Sequence, residues 1–195
     1  PVITRVKVEG ATGTGDHCGA DDGDGDCREQ WVAIFGAGYR TDGDPNDKLA
    51  YETDPTSPAW SDKSKAIFIV SLDDGTVLDV VAFDATGTNG PSGMRYAIPS
   101  PPGVFDVDGD QFADIVLVGD TGGKVWKWDI HAVGDDTNSD SVIDNWNAGA
   151  FFNAPPVLLG AGGFHYRSFY FPPVAAYVNG QLTYAFGTGE RQDLL

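Results

Sequence analysis

The sequence predicts an all-β fold of β-propeller blades, and three observations carry that prediction. Short apolar runs rich in β-branched and aromatic residues alternate with Gly, Pro, Asn and Asp turns, and 26 glycines and 12 prolines in 195 residues supply those turns. The runs also recur in a fixed order. Proline-led strands stand at PVITRVKV (from residue 1), PPGVFDVDG (from 101) and PPVAAYVNG (from 172). Each is followed by a strand that ends in glycine: WVAIFGAG from 31, DIVLVGDTGG from 114 and TYAFGTGE from 183. Third, an aspartate-rich loop joins two of these strands. The order reads A-B-C-D, A-B-C-D, then A-B, or about two and a half four-stranded blades of a larger propeller. Such a set does not close a ring, so the remaining blades are expected from the same or a companion chain. A jelly-roll sandwich is the structural alternative.

Taken in order, Val2–Val8 alternates with one polar face and reads as a strand. Residues 9–29 form an irregular acidic insertion within a domain spanning 1–195. It holds the only two cysteines, Cys18 and Cys27, and free thiols in so polar a loop would be liabilities, so a local disulfide and an oxidising compartment are expected. With His17 beside Cys18, a zinc site stays open as the other reading. Asp22, Asp24 and Asp26 offer an alternating carboxylate spacing for a further cation, or a solvated loop. Trp31–Phe35 and Lys65–Leu72 read as inner strands buried on both faces. The Asp73-Asp74-Gly75 turn then leads into Thr76–Phe83, and Tyr96–Ile98 is briefly extended. The second set comprises Gly103–Val107, Ala113–Gly119, Lys124–Ile130 and a short strand within Trp146–Asn153, and the polar loop with Asp135, Asp136 and Asp140 precedes the last of these. A third set covers 172–180 and 181–190. Trp126 and Trp128 are expected in the blade core. Tyr166, Phe169, Tyr170 and Phe171 are expected to pack between sets, with an exposed interface as the alternative.

The chemistry is concentrated between the first two strands of the second set. Asp106, Asp108, Asp110 and Asp114 occupy positions 1, 3, 5 and 9 of a loop, with the Phe112 carbonyl available at position 7. Alternating carboxylates turn their oxygens toward one point, and a hard cation that takes six to eight oxygens suits them. Without a cation their mutual repulsion would oppose a tight turn. The loop is not an EF-hand: Leu117 stands where the bidentate glutamate belongs, Gly109 is at position 4, and a strand follows instead of a helix. Ca2+ is expected over Mg2+, which dehydrates reluctantly and takes fewer protein ligands.

Composition narrows the classes. A formal charge of -17 disfavours nucleic acid and anionic membrane surfaces as partners. An apolar content of 41% argues against disorder, and no apolar run reaches the length of a transmembrane helix.

PVITRVKV, WVAIFGAGY with IFIVSLDDGTVL, PPGVFDVDGDQFADIVLVGDTGGKVWKWDI and FPPVAAYVNGQLTYAFGTGER together resemble the C-terminal β-propeller domain of the PilY1/PilC family of type IV pilus biogenesis and tip-adhesion proteins. The resemblance implies a calcium-binding module acting in pilus assembly, extension and retraction, twitching motility or surface attachment. It places calcium on Asp106, Asp108, Asp110, Phe112 and Asp114. It implies pilus subunits, minor pilins, and host or surface ligands as partners. The implied location is extracellular, on the cell surface or outer membrane at the pilus tip, after transit through the periplasm. An integrin-like or FG-GAP extracellular calcium module is the main alternative. A quinoprotein-like enzyme is the other, but no cofactor seat is evident, His17, His131 and His165 are scattered, and no GxSxG elbow occurs. A non-enzymatic role is therefore expected.

Overall fold

Alternation in the first strand, with Val6 and Val8 buried and Arg5 and Lys7 on the opposite face, sets the first sheet on the core. The computed structural model describes residues 1–10, 27–39, 64–84, 93–155, 157–158, 164–165 and 167–189. The first sheet is antiparallel and runs in sequence order: β1 (Val2–Glu9), β2 (Cys27–Gly36), β3 (Ala66–Ser71) and β4 (Val77–Ala82). A second antiparallel sheet orders β5 (Gly103–Phe105), β6 (Ile115–Gly119), β7 (Lys124–Asp129) and β8 (Asn147–Asn153) in the same way. Two short pairs follow: β9 (Val157–Leu158) with β10 (Phe164–His165), and β11 (Val174–Val178) with β12 (Gln181–Ala185).

The main core lies between the four-stranded sheets. Ile34, Ile67 and Ile69 from the first meet Val116, Trp126 and Trp128 from the second, with Met94 and Ile98 from the connection between them. Backbone bonds tie the two together: the Ala113 N–H donates to Arg5 O at 2.8 Å, and Glu9 N–H to Gly134 O at 2.8 Å. The other face of the second sheet buries Leu117 and Val125 under Phe169, beside Tyr184 and Phe186 of the last hairpin and its exit. Thus β6 is covered on both faces, which explains its unbroken apolar run. Tyr170 is half-buried and Phe171 exposed, while Tyr166 lies outside the described residues. Among the described residues no helix is long and apolar enough to cross a membrane.

The propeller expectation is corrected. Among the described residues the sheets are separate open antiparallel sheets of four, four, two and two strands, and none closes into a barrel or propeller. Hydrophobic runs and turn residues report strands and their local order, but ring closure depends on sheet-to-sheet geometry that no local signal encodes. Of the expected Cys18–Cys27 disulfide, Cys18 lies outside the described residues; Cys27 is buried at the start of β2 and is disulfide-bonded, not a free thiol. The Asp22, Asp24, Asp26 loop also lies outside them.

Candidate metal centre

β5 ends at Phe105, two residues earlier than its apolar pattern suggests, because the aspartates capture the backbone. The Asp114 N–H donates to Phe105 O at 2.9 Å, and the Val107 N–H donates to Asp114 Oδ2 at 2.5 Å, closing the neck of a loop. Within it Asp106 accepts from Gly109 N–H (2.6 Å) and Gln111 N–H (2.9 Å). Asp108 accepts from Asp110 N–H (3.1 Å), and Asp110 from Phe112 N–H (2.8 Å). Short acidic side chains that bond backbone two or more residues ahead are what allow so tight a turn. The path needs positive φ at Gly109 (85°) and Gln111 (76°). Glycine meets that requirement without cost, and glutamine does not. Gln111 is held there from β1, whose Arg5 Nη2 donates to its carbonyl and to its Oε1, both at 3.2 Å.

Charge from β1 offsets part of the repulsion. Lys7 Nζ lies 2.5 Å from Asp110 Oδ2, and both Arg5 and Lys7 sit over the buried Phe112 ring, at 5.1 and 5.5 Å from its centre. Burial works to raise the Asp110 pKa, but the bond and charge of Lys7 and the Phe112 N–H outweigh it and hold the carboxyl below its ordinary value.

The expected ligands gather in two overlapping groups. One ligand atom each from Asp106, Asp108 and Asp110 lies within 4.8 Å of the others, and the same holds for Asp108, Asp114 and His131. Asp114 thus falls in the second group and not the first. Its Oδ1 meets His131 Nδ1 at 2.8 Å, and its side chain is only 3% exposed. That hydrogen bond is the main reason the His131 pKa lies above its ordinary value; partial burial opposes it, and the Asp114 and Asp108 charges add to it. His131 was not legible as a site residue because it lies 17 positions from Asp114. The β6–β7 hairpin, which pairs Ile115 with Asp129, brings it alongside, and the length of that hairpin was the available signal.

A second loop repeats the geometry with different residues. Asp136, Asn138, Asp140, Val142 and Asp144 stand at positions 1, 3, 5, 7 and 9. Asp136 accepts from Ser141 N–H (2.7 Å), Asn138 from Asp140 N–H (3.0 Å), Asp140 from Val142 N–H (2.9 Å) and Asp144 from Thr137 N–H (3.0 Å). Positive φ falls at Ser139 (61°) and Ser141 (74°), the counterparts of Gly109 and Gln111. Asn138 at position 3 breaks the run of alternating aspartates, so the spacing is not legible as an aspartate motif. Among the described residues, three carboxylate or imidazole ligand atoms converge around Asp108, whereas the second loop has an amide at its position 3.

No family model and no curated protein matches this chain. Among solved structures, the crystal structure of the Pseudomonas aeruginosa PilY1 C-terminal domain is similar with a TM-score of 0.46 and 17% identity, over 82% of this chain and 29% of that one. This is a weak and partial structural similarity. The resemblance to the PilY1/PilC family stands at that level, and the expected role of a calcium-binding propeller in type IV pilus function is corrected. Among the described residues the sheets form no propeller, and the likeness is too slight to transfer pilus assembly, twitching motility, adhesion or pilus partners.

Proposed function

We propose that this chain is a non-enzymatic all-β module whose local order depends on a bound divalent cation, with Ca2+ held by the Asp106, Asp108 and Asp110 carboxylates and the Phe112 carbonyl. Asp114 completes the set at position nine and closes the neck of the loop. The observation that carries this reading is the convergence of Asp106, Asp108 and Asp110 within 4.8 Å on a loop whose backbone already wraps its own carboxylates. Oxygen donors alone, in a flexible and partly solvated loop, suit calcium better than magnesium. Lacking the bidentate glutamate of an EF-hand, the loop belongs with weaker calcium sites that fill at extracellular concentrations. An extracellular or periplasmic setting follows from that reading.

Thermal unfolding of chelator-treated protein tests it. Calcium at a hundredfold excess over its Kd stabilises the fold by about 2.7 kcal/mol; magnesium at the same concentration gives a smaller gain, and Asp106→Ala and Asp108→Ala remove the response. No rise in Tm up to millimolar calcium would sink the proposal. Stoichiometry by calorimetry separates the 106–114 loop acting alone from participation of the 136–144 loop, for which Asp136→Ala is the control.

A further inference from the structure

We infer that Asp108, Asp114 and His131 form a second metal seat beside the loop, of mixed oxygen–nitrogen character, which takes a first-row divalent ion, zinc foremost. It shares Asp108 and Asp114 with the calcium site but does not require that site to be filled. His131 Nδ1 lies 2.8 Å from Asp114 Oδ1 and 4.0 Å from Asp108 Oδ2. Ligand atoms around a tetrahedral ion with bonds of about 2.0 Å stand roughly 3.3 Å apart, a value these two distances bracket. A plain histidine–aspartate hydrogen bond accounts for the shorter distance and leaves the approach of Asp108 unexplained.

A cavity of about 280 Å³ opens at these side chains, lined by Val107, Asp108, Asp114, Ile115, Asp129 and His131. It gives a metal room for water or an exchangeable ligand, the pattern of three protein ligands with an open position. The seat is held from two sides. Val107 N–H fixes the far oxygen of Asp114, and Ile130 N–H donates to Asp114 O at 2.8 Å, anchoring the backbone that carries His131. The imidazole decides the ion, because a nitrogen ligand suits zinc, cobalt or nickel and contributes little to a calcium shell.

Titration of chelator-treated protein with Co2+, followed by visible absorption and displacement with Zn2+, reads the seat directly. Wild type develops the d–d bands of a low-coordinate nitrogen–oxygen site and loses them to zinc. His131→Ala weakens zinc binding on the order of 100-fold yet retains the calcium-induced rise in Tm, which also reports that the variant is folded. Asp106→Ala shows the reverse pattern, so failure of this seat and failure of the calcium loop are distinguishable. His131→Gln, which keeps a hydrogen bond to Asp114 but no imidazole, behaves as His131→Ala. Zinc binding as tight in either His131 variant as in wild type, or no cobalt spectrum in wild type at millimolar metal, overturns the inference.

Discussion

Asp79 is a buried carboxyl on β4, 7% exposed, whose pKa is pushed up to about 7. Burial is the main cause; the Val80 N–H, which donates to it at 2.7 Å, works against the shift, and the Asp144 charge adds to it. In the unfolded chain the same group ionises near its ordinary value of 3.8. As pH rises from about 4 to 7 the unfolded state loses its proton first, so stability falls across that window and is flat on either side. Asp79→Asn should therefore leave stability unchanged at pH 3.5 and raise it at pH 8, by no more than about 4 kcal/mol. Urea denaturation at the two pH values checks this, and an equal difference at both would exclude the linkage. Lys7 acts in the opposite sense at the cation loop. Its ammonium neutralises Asp110 when no metal is present and repels a metal that arrives. Lys7→Gln should lower the Tm of the chelated protein and tighten calcium binding several-fold, read by calorimetry in low salt.

At the level of elements, β6 and its flanking turns carry the most constraint. Gly119, the last residue of β6, faces Phe169 so closely that an added Cβ would overlap its side chain. Gly119→Ala should destabilise by about 1–3 kcal/mol through forced repacking, visible as a lower urea midpoint. Just beyond, Asp120 is fully buried and its pKa is pushed up to about 6, mainly by burial, although Lys124 N–H, Trp126 Nε1 and Gly122 N–H all donate to it. These bonds lock the turn between β6 and β7 and thereby set the register that delivers His131. The same logic ends β5 early: carboxylates that bond backbone compete with ladder pairing. Strand presence was legible from apolar runs such as IVLVG and KVWKWD, whereas where each strand stops depended on which side chains claimed the flanking N–H groups.

Across the whole molecule, the second sheet lies between the first sheet and the last hairpin, so protection should be graded outward. Hydrogen exchange should be slowest at β6 and β7, whose side chains are mostly buried, and fastest at β8, β11 and β12, which are largely exposed. Calcium should slow exchange most at 106–114 and at the β1 segment that contacts it. Uniform protection across both sheets and the hairpin would contradict this layering. The hairpin is tethered to the loop by Tyr177, whose hydroxyl donates to Val107 O at 2.7 Å, so part of the calcium effect should reach β11.

The sequence by itself determined the strands, the turns between them and the oxygen-rich spacing of Asp106, Asp108, Asp110 and Asp114, because alternation, turn chemistry and ligand spacing are set within a few residues. Tertiary structure alone decided that the sheets stay open, that Arg5 and Lys7 come from β1 to hold the loop, and that His131 reaches Asp114. Those outcomes depend on which surfaces meet across long stretches of chain. The free energy of such meetings comes from burial and charge pairing summed over both partners, and no local pattern in either one records it.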